Sequence, residues 1–186
     1  MNLDHALLHS LIPHAKDIDI VTYLSPLNSC MVEFEINTPL RIAAFLAQLA
    51  HETLSLYYKE EIASGDAYNE RIDLGNTDPL AISAAKNSLS TVGRFYKGRG
   101  LLQTTGYYNY KVVGEALGLD LVKYPSLLLK PSNACRAAGW FWQYHNCNEL
   151  ADKGNFGAIT KKINGGTNGA KERLVNYSIC KKVLEC

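Results

Sequence analysis

The chain lacks a charge imbalance: 19 Lys and Arg stand against 18 Asp and Glu, a formal net charge of +1. That balance removes the electrostatic reason to expect a nucleic-acid partner or a strongly membrane-attracted surface. No run of some 18 apolar residues occurs, so no stable membrane insertion is expected. The opening MNLDHALLHSLIPHAKD has neither the basic start nor the long apolar core of a secretory signal, and the chain reads as soluble and unexported. Cys30, Cys135, Cys147, Cys180 and Cys186 form an odd set without a CxxC pair. Neither a complete disulfide framework nor a zinc site is signalled, and reduced, mostly buried thiols are expected. The five histidines offer only His5 and His9 of HALLH, one helical turn apart, with His14 nearby. Without a third ligand of clear spacing a zinc amidase is unsupported, HALLH reads as the polar edge of an N-terminal amphipathic helix, and no metal or cofactor is expected. Internal repeats, low-complexity tracts and linkers are also missing.

What is present is an ordinary globular composition. With 186 residues, 47% hydrophobic and 20% charged, one domain spanning residues 1–186 and acting as a monomer is expected. The clearest helix has Thr38 as N-cap and Pro39 at its first position. It continues RIAAFLAQLAHE with Ile42, Phe45, Leu46, Leu49 and Ala50 at helical spacing. Being apolar around most of its circumference, it should be the buried central helix. From Tyr57 to Thr77 tyrosines, charges, SGD and GN predict a loop with a short hairpin. Further helices are expected from Pro79 behind the Asp78 cap through Ala85, around Tyr110 to Leu117, through SNACRAAGWFWQYHN, from Phe156 to Ile163, and from Gly169 to Val183. Trp140 and Trp142 cannot both face inward on one helix, and core packing is expected of Trp142.

The stretch HETLSLYYKEEIASG raises the question of chemistry. In continuous helix Glu52 and Glu61 would lie about 13 Å apart along the axis and on nearly opposite faces, so they could not serve one bond. The loss of apolar periodicity after Glu52 predicts that the chain turns back. Glu52, at the end of the most apolar helix, would have a raised pKa if left unpaired, as a general acid requires. Glu60 and Glu61 alone would otherwise read as a solvated charged loop. GRFYKGRGLLQTTGYYNY then concentrates glycines, amides, hydroxyls and tyrosines, which suits sugar hydroxyls and the flat C–H faces of pyranose rings. INGGTNG is a polar turn between helices.

The ordered motifs FLAQLAHET, KEEI, YKGRGLLQTTGYYNY and ITKKINGGTNGAKERLVNY resemble glycoside hydrolase family 19, the chitinase-like branch of the lysozyme superfamily, and within it single-domain bacteriophage endolysins. The resemblance runs from about Asn28 through Tyr177. It implies a mainly α, α+β lysozyme-like fold, two-lobed, with a small irregular or β lobe and a cleft. It also implies hydrolysis of a β-1,4 bond next to an N-acetylated sugar. On the matching motifs, Glu52 is the expected general acid, Glu61 the general base with Glu60 as the alternative, and Thr105 the hydroxyl that holds the attacking water. Gln103, Tyr108, Asn109 and Asn164 fall at substrate-contacting positions, and Arg173 where an arginine organises the acidic site. His51 is expected to support Glu52 rather than to react. Relatives usually continue HESGG or HETGG and carry Asn after the second Glu, where this chain has HETLS and Ile62; the choice between Glu60 and Glu61 stays open.

These roles imply inversion, with a carboxyl separation of about 6.5–9.5 Å rather than the roughly 5–5.5 Å of a retaining enzyme. The resemblance favours the bacterial peptidoglycan glycan strand as partner, and with it an N-acetylmuramidase made in the bacterial cytoplasm that reaches the wall once the membrane is opened, as in host-cell lysis. A chitinase acting on β-1,4 N-acetylglucosamine polymers is the alternative, and a non-catalytic glycan-binding protein the second.

Overall fold

The computed structural model describes residues 1–186. They form two compact units, one of Met1–Tyr58 with Ala138–Cys186 and one of Lys59–Ala137.

The first unit is helical. It contains α1 (His5–Leu11), α2 (Asp17–Glu33) and α3 (Pro39–Glu52). Thr38 caps α3 as expected, its hydroxyl accepting from the Arg41 N–H at 3.3 Å, with Pro39 supplying a preset φ and no orphan donor. Every residue from Ile42 to Leu49 is completely buried, alanines included. The small side chains at positions 43, 44 and 47 let neighbouring helices approach on faces where a surface helix would carry polar residues. Burying Ile42, Phe45, Leu46 and Leu49 contributes about 1.5–3 kcal/mol each. The central-helix expectation therefore holds.

The rest of this unit follows after the chain's excursion through the second. α7 (Pro131–Tyr144) begins in the second unit and ends in the first. It buries Trp142 completely, edge-on to Phe45 with ring centroids 5.2 Å apart, and its indole N–H donates to Asn148 at 2.8 Å. Trp140 instead stacks on Tyr144 at 5.0 Å, so the two tryptophans do face opposite ways. Gly139 allows α7 to close on α2, because a Cβ there would run into the Phe34 ring and come 2.6 Å from the Cys30 sulfur. α8 (Cys147–Asp152), α9 (Phe156–Asn164) and α10 (Ala170–Val183) complete the unit, with α10 packed along α3. Gly165, left-handed at φ 70°, ends α9. Cys30, Cys147 and Cys180 are buried and outside any disulfide, as is Cys135 of the second unit; Cys186 is exposed and likewise unbridged.

The second unit is built from short pieces. Two single-turn 3-10 segments, Asp66–Tyr68 and Ile72–Leu74, occupy the region where a hairpin was expected. The hairpin is absent; the extended pairing reduces to isolated bridges, Glu60 with Arg99 and Arg99 with Thr104. Short runs broken by Gly65 and Gly75, both left-handed, leave no strand long enough to pair. α4 (Pro79–Asn87) starts on the expected Asp78 cap, whose carboxylate accepts from the Leu80 N–H at 2.8 Å. α5 (Val92–Phe95) and α6 (Tyr107–Leu117) follow, the latter closed by left-handed Gly118. Tyr96, Tyr107 and Tyr110 pack as an aromatic cluster with centroids 5.4–5.6 Å from Tyr96. The mainly α, lysozyme-like class expected from the motifs is the class found, with the non-helical segments of the second unit irregular rather than β.

Candidate active site

In the first unit the site is organised by the end of α3. Glu52 is its last residue, and the side chain is 21% exposed. It is not the unpaired carboxylate anticipated from the apolar helix: Arg173 of α10 donates through one terminal nitrogen to its Oε1 at 2.5 Å. The Arg173 side chain is itself 2% exposed. Its other terminal nitrogen donates to the Gln48 carbonyl at 2.5 Å, and its Nε to the Asn168 backbone carbonyl at 3.4 Å. Asn164 donates its amide to the same carbonyl at 3.3 Å, so Asn164 and Arg173 together tie down the Asn164–Gly169 turn.

His51 packs against that turn. A side chain at Gly169 would collide with the His51 ring, and the left-handed φ of 67° there would be strained for any other residue. Burial, then the Arg173 charge, push the His51 pKa below its ordinary value, which keeps the imidazole neutral at neutral pH.

The chain does turn after Glu52. Leu54, Ser55 and Leu56 are three consecutive left-handed residues, with φ of 48°, 58° and 68°, and none is glycine. Fully buried Thr53 holds the turn. Its hydroxyl donates to the Leu49 carbonyl at 2.6 Å and accepts from the Leu56 N–H at 2.7 Å, while the Ser55 N–H reaches back to the Ala50 carbonyl at 2.7 Å. Leu56 is completely buried and anchors the far side.

In the second unit a different group of residues converges. Glu61 accepts from the Tyr68 hydroxyl at 2.7 Å and from the Gly98 N–H at 3.2 Å. Its backbone N–H donates to the Gly98 carbonyl at 2.9 Å. Gly98 is surrounded: a Cβ there would lie 2.5 Å from the Gln103 side-chain oxygen, 3.1 Å from the Thr105 hydroxyl and 3.4 Å from Glu61 Oε2. The three polar groups therefore crowd one point, and only glycine leaves room among them. Gln103 reaches it through a left-handed backbone at φ 45°. The hydrogen bond to Glu61 is the main reason the Tyr68 phenol pKa is raised, so Tyr68 remains a donor.

Glu60 is occupied otherwise. Its carboxylate accepts from Arg99 Nε at 2.8 Å, with the Lys97 ammonium at 3.5 Å. Arg99, 9% exposed, also donates to the Phe95 carbonyl at 2.7 Å and to the Tyr110 hydroxyl at 3.2 Å, and Tyr110 donates to the Lys97 carbonyl at 2.7 Å. Glu60 thus neutralises a cation that braces the 95–110 segment, whereas the Glu61 carboxylate is held by neutral donors. Tyr108 is exposed, with its ring backed by Gly75. Asn109 donates to the Thr105 carbonyl at 2.7 Å, fixing the residue that carries the hydroxyl.

The expected residues accordingly fall into two groups. Glu52, Asn164 and Arg173 belong to the first unit, and Glu61, Gln103, Thr105, Tyr108 and Asn109 to the second. Gln48, Thr53 and Tyr68 were not expected, nor was Thr160, whose hydroxyl accepts from the Gln48 amide at 2.9 Å. Gln48 carried a signal, a polar side chain in the middle of the most apolar helix; Tyr68, in an irregular segment, carried none.

A mainly helical chain with two differently held carboxylates, amides and hydroxyls is of the lysozyme-like class. Residues 35–154 match the family model described as chitinase class I, glycoside hydrolase family 19. An endochitinase of Arabidopsis thaliana is 41% identical over 142 residues, covering 73% of this chain and 44% of the relative. A second Arabidopsis thaliana protein, 38% identical over 145 residues and covering 77% and 47%, is named an inactive endochitinase. The crystal structure of chitinase C from Streptomyces griseus shares the fold, with a TM-score of 0.76 at 23% identity over 98% of this chain and 76% of that one. This chain belongs to glycoside hydrolase family 19. It spans about half the length of the curated relatives it matches.

Proposed function

We propose that the chain is an inverting glycoside hydrolase that cuts β-1,4 bonds in polymers of N-acetylglucosamine. The observation that carries this reading is the sorting of the three acidic residues. Glu60 is committed to Arg99, while Glu52 and Glu61 each present a partly exposed carboxylate in a distinct hydrogen-bonding environment. Glu52 is held by a cation and Glu61 by neutral donors. A related protein is named inactive, so membership of the family does not by itself carry activity.

In this mechanism protonated Glu52 gives its proton to the leaving glycosidic oxygen. Glu61 takes a proton from a water attacking the opposite face of the sugar, and the Thr105 hydroxyl holds that water. The C–O bond to the leaving group breaks as the bond to water oxygen forms, so the anomeric centre inverts. One cycle leaves Glu52 ionised and Glu61 protonated, and exchange with solvent resets both. Arg173 stabilises Glu52 once it has lost its proton. Gln103, Tyr108, Asn109 and Asn164 are assigned to the sugar hydroxyls and N-acetyl groups.

The substrate reading moves from peptidoglycan toward chitin because curated relatives are named endochitinases. The glycan strand of peptidoglycan remains the second reading, since it has the same linkage and N-acetyl groups, and the five cysteines form no disulfide. The test incubates the wild type and Glu52→Gln with a chitin hexamer and, separately, with purified peptidoglycan, followed by anomer-resolved NMR and by mass spectrometry after borohydride reduction. Newly formed α-anomers from the hexamer, lost in Glu52→Gln, are expected. Cleavage of peptidoglycan alone would select the second reading. Binding without new reducing ends from either polymer would leave a glycan-binding protein.

A further inference from the structure

We propose that Gln48, its amide anchored by Thr160, is a positioning residue that fixes the Arg173 guanidinium on Glu52. The inference rests on the hydrolase reading for its kinetic consequence, but not for its structural one. Gln48 lies four residues before Glu52 on α3, so both side chains lie on one helix face. It is completely buried in a helix whose other buried positions, from Ile42 to Ala50, are all apolar. A polar group there is costly unless both ends of its amide are satisfied.

The amide is directional, and its surroundings select one orientation. Thr160 of α9, 4% exposed, accepts from the Gln48 NH2 at 2.9 Å. With the NH2 so placed, the Gln48 oxygen faces Arg173, which donates to it at 2.5 Å. With the amide reversed, NH2 would face the guanidinium, donor against donor, with no lone pair between them. Arg173, a donor only, thus decides the orientation, and the Thr160 hydroxyl anchors the NH2 end that this leaves behind.

The consequence follows from guanidinium geometry. Arg173 meets Glu52 through a single contact at 2.5 Å. One contact to a planar fork leaves rotation about that hydrogen bond free, whereas a second contact through the other terminal nitrogen fixes the plane. The weak 3.4 Å contact from Nε to the Asn168 carbonyl sits on a polar turn and supplies less constraint. Gln48 therefore sets where the Arg173 charge stands relative to the carboxylate that must lose and regain a proton. A misplacement of such a group acts on the chemical step more than on substrate binding.

The test uses Thr160→Val, which keeps the shape of the side chain and removes the acceptor, with Thr160→Ser as the conservative rescue and Gln48→Met as the direct deletion. Each variant is checked for folding by circular dichroism and then assayed on the chitin hexamer. The Arg173 side-chain Nε–H signal is followed by 15N NMR. For Thr160→Val the expected outcome is a folded protein with kcat down about 10-fold or more, KM within about twofold, and an Arg173 signal that broadens or exchanges faster. Thr160→Ser should recover both readouts. Should Gln48→Met fail to fold, Thr160→Val still decides the matter. The proposal is overturned if Thr160→Val leaves both kcat and the Arg173 signal unchanged, or if Thr160→Ser is as impaired as Thr160→Val, which would mark a packing role. A wild type that cleaves no glycan would sink the hydrolase reading; the NMR arm would still decide whether Gln48 and Thr160 hold Arg173.

Discussion

Replacing Ser55 by glycine should stabilise the protein, although the substitution removes atoms and adds no contact. Ser55 is the middle of three left-handed residues, at φ 58°, directly after the helix that ends in Glu52. An L-residue in that conformation costs about 1–2 kcal/mol, and glycine is free of the penalty. Against this, glycine loses more backbone freedom on folding, about 0.5–1 kcal/mol. Ser55 buries no apolar side chain, and its backbone N–H bond to Ala50 does not depend on the side chain. The net expectation is a gain of about 0.5–1 kcal/mol, a rise of about 1–4 °C in melting temperature for a chain of this size. Leu54 and Leu56 are poorer choices: Leu54 still buries about a third of its surface, and Leu56 is completely buried, so glycine there forfeits hydrophobic stabilisation. The assay is thermal unfolding of the wild type, Ser55→Gly and Ser55→Val, the β-branched change being expected to destabilise. A lower melting temperature for Ser55→Gly would refute the claim that the turn stores backbone strain and would imply that the serine hydroxyl is needed.

Three further outcomes follow from the site. Arg173→Met leaves Glu52 and Gln48 without their shared partner, and chemical denaturation should show a loss of about 3–5 kcal/mol, since breaking a buried pair costs more than the pair contributes. Glu60→Gln and Glu61→Gln should separate: the first weakens the hold on Arg99 and lowers stability by about 1–2 kcal/mol while keeping hexamer cleavage, whereas the second keeps the melting temperature within a few degrees and loses activity; the reverse pattern would exchange their roles. Stability should also fall on acidification below the ordinary histidine pKa of about 6.5. Burial depresses the pKa of both His51 and His145 in the folded chain, so the unfolded chain binds more protons in that window and stability rises with pH through it. Melting curves at pH 7.5 and 5.5 check this, and equal or higher stability at the lower pH would count against it.

The helices were legible wherever a local rule decided them: Thr38-Pro39 opening α3, Asp78-Pro79 opening α4, Gly118 closing α6 and Gly165 closing α9. The turn after Glu52 was legible only as a loss of pattern, because Leu54, Ser55 and Leu56 favour no turn by themselves. What bends the chain there is tertiary: Leu56 is drawn into the core and Thr53 takes up the freed backbone groups at both ends of the turn. The same distinction explains the carboxylates. Sequence spacing could nominate Glu52, Glu60 and Glu61 but not their partners, since Arg173 lies 121 positions from Glu52 and Arg99 lies 39 from Glu60. Glu60 and Glu61 are adjacent, and extended backbone around the bridge to Arg99 sends successive side chains to opposite sides. One of the pair must then meet the Arg99 and Lys97 cations, and the other is left to Tyr68 and Gly98. A shift of register by one residue at that bridge would exchange the two partners and put Glu60 beside Gln103 and Thr105. The identity of the proposed base is therefore a property of the pairing at that bridge rather than of the local sequence.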